Sequence, residues 1–290
     1  VSRVGVVGCG LMGSGIAEVA ARGGMLVTVY EPTADLADAG RSRVERSMAR
    51  AVEKEKLTET ERDAAGERIR FTVELTDVAD SDLVIEAIVE DLGAKSELFR
   101  TLDSLCDPAT IFASNTSSLP VTDLASATSR PDRFVGLHFF NPVPVMALVE
   151  VVRTVVTSEA TLASVHRFVE AVGKVPISAK DRSGFVVNLL LVPYLLDAVR
   201  QVERGVATVQ DIDSAMVLGC GHPMGPLTLC DFVGIDTLCR ISEIMFEEYR
   251  ESRYAPPPLL RRLVAMERFG RKSGQGFYDW RGEAPVPLAI

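Results

Sequence analysis

The sequence predicts an α/β chain: a Rossmann-type, doubly wound, mostly parallel sheet followed by an all-α C-terminal domain. Three observations predict it. Strand-like and helix-like stretches alternate from Ser2 to Val152. A glycine-rich turn, Gly8-Cys9-Gly10-Leu11-Met12-Gly13, joins the first strand to the first helix. From Phe185 onward, helix-forming sequence runs on with only short Gly and Pro joints. The boundary is expected near residue 182, giving a sheet domain over 1–182 and a helical domain over 183–290.

Each element has its own signal. Ser2–Val7 is β-rich and ends in glycines, and Leu11–Arg22 is a helix whose small residues suit close approach to a sheet. Met25–Tyr30 is an apolar strand closed by Glu31-Pro32. Residues 35–69 are polar and charged and predict a helical hairpin. Phe71–Val73 and Asp82–Ile88 are strands, Lys95–Leu105 a helix, and Thr110–Ser114, Arg133–Phe140 and Ala147–Val152 further strands. Helices then follow over Phe185–Arg204, Thr208–Leu218, Leu227–Ser252 and Pro258–Phe269.

Composition narrows the function. The 290 residues are 47% hydrophobic and 24% charged, enough for ordinary cores. A net charge of −9 disfavours nucleic acid and membrane surfaces as partners. The five cysteines include no CxxC pair, and the three histidines have no HxxxH spacing, so no metal site is expected. No apolar run reaches the ~18 residues needed to span a bilayer. The sequence opens on a strand with no signal-peptide pattern ahead of it, so a reducing, cytoplasmic setting is expected.

The glycine turn carries the first chemical reading. Between a strand and a helix, such glycines permit a tight turn and close approach of backbone to a pyrophosphate, which the helix N-terminus attracts. Glu31 ends the next strand, 18 residues after Gly13. A carboxylate there accepts hydrogen bonds from an adenosine ribose and repels a 2′-phosphate. NAD is therefore the expected cofactor, in preference to NADP.

The second reading concerns acid–base chemistry. Polar residues fall at strand ends, where a doubly wound sheet places its active site. These are Ser114–Ser118, His138 before Phe139-Phe140-Asn141-Pro142, and Glu150 in the following strand-like segment. A hairpin-like return would set Glu150 against one imidazole nitrogen and leave the other to take a proton from an alcohol. The bland alternatives are a core histidine and an exposed strand carboxylate. Ser117 reads either as a helix cap or as a ligand contact, and Asn188, inside the apolar run Phe185–Leu196, needs a partner of either kind. Arg43, Arg46, Arg50 and Lys54 share one helical face, either solvated or facing an anionic substrate.

Taken together, these residues resemble the short-chain L-3-hydroxyacyl-CoA dehydrogenases, including bacterial 3-hydroxybutyryl-CoA dehydrogenases. The resemblance runs from Val4 to about Trp280. Its most specific stretches are Phe112–Leu119, Gly136–Pro144, Lys180–Asn188, Gly221–Asp231 and Arg271–Tyr278. It implies His138 as general base, Glu150 as its partner, and Ser117 and Asn188 as residues that hold substrate and cofactor. It implies NAD contacts from Gly8, Gly10, Leu11, Met12, Gly13, Glu31, Glu90, Lys95, Ser117, Asn141 and Lys272. It also implies coenzyme A contacts from Ser47 and Lys54, and a homodimer through the C-terminal domain. Arg182-Ser183-Gly184 and Leu189 depart from the usual Thr-Pro-Gly turn and the usual arginine. The expected reaction is the reversible oxidation of an L-3-hydroxyacyl-CoA to the 3-oxoacyl-CoA. Three alternatives remain beside it: the same chemistry on an acyl-carrier-protein thioester, a hydroxyacid dehydrogenase using a catalytic lysine, and a non-catalytic NAD-binding protein.

Overall fold

The computed structural model describes residues 1–289, which divide into two compact units, Val1–Arg182 and a second that begins at Ser183. The first unit runs β1 (Arg3–Val7), α1 (Leu11–Arg22), β2 (Leu26–Tyr30), α2 (Ala34–Glu53), α3 (Glu59–Glu67), β3 (Ile69–Thr72), β4 (Leu83–Glu86) and α4 (Leu92–Leu105). It continues through β5 (Ile111–Ser114), α5 (Val121–Ser126), β6 (Phe134–Phe139), β7 (Leu148–Arg153), α6 (Glu159–Ala171) and β8 (Val175–Lys180).

These strands form one eight-stranded sheet in the order β3-β2-β1-β4-β5-β6-β7-β8. The strands β1 to β6 run parallel, β7 is antiparallel to β6, and β8 is parallel to β7. The chain winds outward from β1 through β3, then crosses back to β4. The β1/β4 boundary is thus the switch point beside which doubly wound sheets bind their ligands. Central strands lie between two layers of helices and read as apolar runs, with Val4, Val6, Leu83, Ile85, Val135 and Leu137 all buried. Helix α2 shows why the hairpin is helical. Thr33 caps it by accepting from the Leu36 N–H, and Ala37, Gly40, Val44 and Met48 recur at helical spacing on its buried face.

The second unit is a helical bundle of α7 (Val187–Glu203), α8 (Val209–Cys220), α9 (Pro226–Val233), α10 (Ile235–Tyr249) and α11 (Pro258–Ala265). Its core is built from Val192, Leu196, Leu227, Leu238, Met245 and Phe277. The helix expected over Leu227–Ser252 is in fact two. Gly234 adopts φ 97°, outside the helical region, and separates α9 from α10. The sequence reading also passed over α5, α6 and β8. Among the described residues, no helix is long and apolar enough to cross a membrane.

Candidate active site

Strand β6 ends at Phe139, so His138 stands at the carboxyl edge of the parallel sheet. Because β7 returns antiparallel, it enters the sheet at that same edge. The register places Glu150 directly opposite His138, and directly opposed side chains on one face meet. His138 Nδ1 lies 2.6 Å from Glu150 Oε2. Glu150 is fully buried and His138 is 7% exposed. A carboxylate against Nδ1 keeps the proton on that nitrogen, so the lone pair of the neutral ring sits on Nε2.

The loop after β5 is built around a buried carboxylate, a half-buried one and a buried lysine. Glu86, the last residue of β4, accepts from Lys95 Nζ at 2.5 Å, Ser114 Oγ at 2.6 Å and the Ile88 N–H at 2.7 Å. Burial pushes the Glu86 carboxyl above the usual carboxylate range, against the pull of Lys95. Lys95 is only 1% exposed and also lies 3.3 Å from Glu90. Glu90 accepts from Thr116 Oγ1 at 2.6 Å, the Ser117 N–H at 2.9 Å and Ser118 Oγ at 3.2 Å. Burial raises this carboxyl too, but Lys95 and those donors outweigh it and hold Glu90 below the usual range. Helix α5 starts at Val121 after Pro120, and the Asp181 carboxylate accepts from its Val121 and Thr122 N–H groups at 2.9 and 2.6 Å, so Ser117 is not its cap. Asn115 Oδ1 accepts from the Phe139 N–H at 3.0 Å, tying this loop to the residue after His138.

The glycine turn sits at the switch point. Gly8 has φ +91°, and a Cβ there would come 2.8 Å from the Ala87 carbonyl. A Cβ on Gly13 would overlap the Gly8 carbonyl. Gly10 caps α1 without any side-chain hydrogen bond, and the space around it is open. The first-turn N–H groups of α1, at Leu11 and Met12, thus have no partner from a capping side chain at Gly10. Glu31 accepts a hydrogen bond from the Cys9 N–H of the turn itself. This donor set fits the pyrophosphate and adenosine ribose of NAD: an uncapped helix start with a carboxylate beside it.

A groove of about 630 Å³ runs between α2 and the turn that joins β6 to β7. Ser47 and Lys54 line one side, with Arg46 and Arg50, and Asn141 lies on the other. The basic stripe therefore faces a groove, except that Arg43 also donates to the Cys9 carbonyl at 3.2 Å and braces the glycine turn.

The remaining expected residues lie in the second unit. Asn188 is half-buried, in the first turn of α7. Lys272 Nζ pairs with the Asp236 carboxylate at 2.6 and 2.7 Å. The sequence reading missed Glu86, Ser114, Asn115, Thr116 and Ser118 as individual site residues. The polar run after an apolar strand was visible in the sequence, but its anchor Glu86 reads there as an ordinary strand end.

Comparison with known proteins accords with this geometry. Residues 3–182 match the family model described as 3-hydroxyacyl-CoA dehydrogenase, NAD binding domain, and residues 184–280 match the C-terminal domain of the same family. The chain is 56% identical to a 3-hydroxybutyryl-CoA dehydrogenase of Mycobacterium tuberculosis, over 97% of this chain and 99% of that protein. It is 49% identical to the human mitochondrial hydroxyacyl-coenzyme A dehydrogenase, over 97% and 92% of the two chains. The crystal structure of (S)-3-hydroxybutyryl-CoA dehydrogenase PaaH1 from Ralstonia eutropha superposes with a TM-score of 0.93 at 41% identity, covering 97% of this chain and 100% of that one. The chain belongs to the 3-hydroxyacyl-CoA dehydrogenase family.

Proposed function

We propose that this chain catalyses the reversible NAD-dependent oxidation of an L-3-hydroxyacyl-CoA, 3-hydroxybutyryl-CoA first among them, to the 3-oxoacyl-CoA. The observation that carries the reading is the 2.6 Å contact between His138 Nδ1 and Glu150 Oε2 at the carboxyl edge of the sheet. With Nδ1 engaged, Nε2 takes the proton of the substrate hydroxyl, and Glu150 stabilises the imidazolium that results. Such a base contributes on the order of 10²–10⁴-fold. Bound NAD supplies the hydride acceptor. Gly8, Gly10, Leu11, Met12 and Gly13 hold its pyrophosphate and Glu31 its ribose, with Asn141 and Lys272 as further contacts. Glu90 and Lys95 act by setting the loop that carries Ser117. Ser117 and Asn188 orient the substrate's oxygens, and Ser47 and Lys54 bind the coenzyme A carrier.

In the same reading the second unit serves as substrate and dimerisation domain. The exposed apolar side chains of Leu190 and Leu218, 74% and 84% accessible, support a homodimer. Five free cysteines accord with a reducing cytoplasm. The test is loss of NADH absorbance with acetoacetyl-CoA, with longer 3-oxoacyl-CoA thioesters, and with a 3-oxoacyl group on an acyl-carrier protein. Turnover with acetoacetyl-CoA supports the reading, and NAD binding with no turnover of any thioester overturns it. Turnover only of the protein-borne thioester moves the assignment to that carrier.

A further inference from the structure

We infer that Lys174 is a positioning residue for the substrate: it holds the loop between β6 and β7 that forms one wall of the groove and so sets how the thioester's carrier arm is seated. The inference rests on assigning that groove to the carrier. Lys174 lies between α6 and β8 and is 7% exposed. Its Nζ donates to the Val143 carbonyl at 2.6 Å and the Met146 carbonyl at 2.7 Å. Among the described residues no carboxylate lies within ion-pair distance of it, Glu18 favours its charge only from farther off, and burying an ammonium is costly. Burial accordingly pulls its pKa below the usual lysine range. An ammonium retained at that cost, and spent on two carbonyls of one loop, marks the loop's conformation as its purpose.

The loop has few other ties. Asn141 and Pro142 are exposed, and Val145 and Met146 are 67% and 40% exposed. The N–H groups of Val145 and Met146 bond only back to the Pro142 carbonyl of the same loop. The one buried side chain, Val143, packs on α1, where a Cβ at Gly15 would come 2.7 Å from the Val143 Cβ. Val143, Pro144 and Val145 face Ser47 and Lys54 across the groove. By contrast, the His138–Glu150 pair is held by its own ladder, with Leu137 opposite Val151 and Phe139 opposite Val149. Releasing the loop therefore disturbs the groove wall and leaves the acid–base pair in register.

The experiment compares acetoacetyl-CoA with S-acetoacetyl-N-acetylcysteamine, which lacks most of the carrier arm, in the wild type, Lys174→Met and Lys174→Arg. Lys174→Met is expected to raise KM for the CoA thioester about tenfold at nearly constant kcat, with KM for the truncated thioester unmoved. Lys174→Arg keeps the charge but not the geometry, and its rise, about threefold, is confined to the CoA thioester and reads the effect even if the Met variant fails to fold. An equal rise for both thioesters, a fall in kcat without a change in KM, or no change at all overturns the inference. If the wild type already shows one KM for both thioesters, the groove assignment fails, and the inference fails with it.

Discussion

His138 and Glu150 are 12 residues apart in sequence and direct cross-strand partners in the sheet, with Nδ1 2.6 Å from Oε2. The pairing depends on β7 being antiparallel to β6 while β1 to β6 run parallel. An antiparallel strand begins where its parallel neighbours end. A carboxylate near its start therefore reaches the edge where doubly wound sheets do their chemistry.

Removing the base is expected to remove turnover and spare the cofactor. His138→Gln should lower kcat by on the order of 10²–10⁴-fold, with NAD affinity, read by fluorescence titration, within a few-fold of wild type. Glu150→Gln should lower kcat less, because the imidazole remains. Wild-type kcat in His138→Gln would show that another group takes the proton.

The buried pair of Lys95 and Glu86 makes a stability prediction. Lys95→Met leaves the Glu86 carboxylate without its cation inside the sheet, which should cost about 3–5 kcal/mol in urea unfolding. Adding Glu86→Gln should recover a large part of that loss, giving a favourable coupling in the double-mutant cycle. Additive losses would mean that the two side chains act independently.

Glu31 should decide between the two nicotinamide dinucleotides. Its carboxylate stands at the end of β2 against the glycine turn, where it opposes a 2′-phosphate by charge. Glu31→Ser is expected to shift the ratio of kcat/KM for NAD over NADP toward NADP by about two orders of magnitude, or about 2.7 kcal/mol. An unchanged ratio would remove Glu31 from the ribose site.

Glu18 yields a pH prediction. It is fully buried, pairs with Arg22 at 3.1 Å, and its Oε2 has no hydrogen-bond partner among the described residues. Burial raises its pKa, and the contacts with Ser47 and Arg22 only partly offset this. A raised carboxyl favours folding fully below its unfolded pKa of about 4.3, and that contribution is lost as pH climbs through the folded value. Glu18→Gln should therefore be more stable than wild type at pH 7, by about 1 kcal/mol, and lose that advantage toward pH 4. Urea midpoints at the two pH values check it, and an advantage that grows toward acid would contradict it.

Local signals in the sequence were strong where one residue type answers one backbone need. Gly8 and Gly13 mark the turn because no side chain fits there. Their neighbours predict a strand before and a helix after, and β1 and α1 form where those signals lie. Helix α6 was equally legible in principle, since Ser158 caps it through the Thr161 N–H and Leu162, Val165 and Phe168 recur on its buried face. The break at Gly234 was weaker, because a lone glycine inside a helical pattern is often tolerated.

By itself, then, the sequence determined the class of the fold and the place of the glycine turn, which rest on short-range pattern, whereas it pointed to His138 and Glu150 as an acid–base pair only through the family resemblance. Tertiary structure alone decided which side chains meet. The strand register set Glu150 on His138 and buried Lys95 between Glu86 and Glu90. The return of β8 along β7 set the Lys174 ammonium under the loop of Val143 and Met146. Each of those contacts joins residues whose separation in sequence carries no period. Each is fixed only when the sheet closes and buried polar groups must find partners within it.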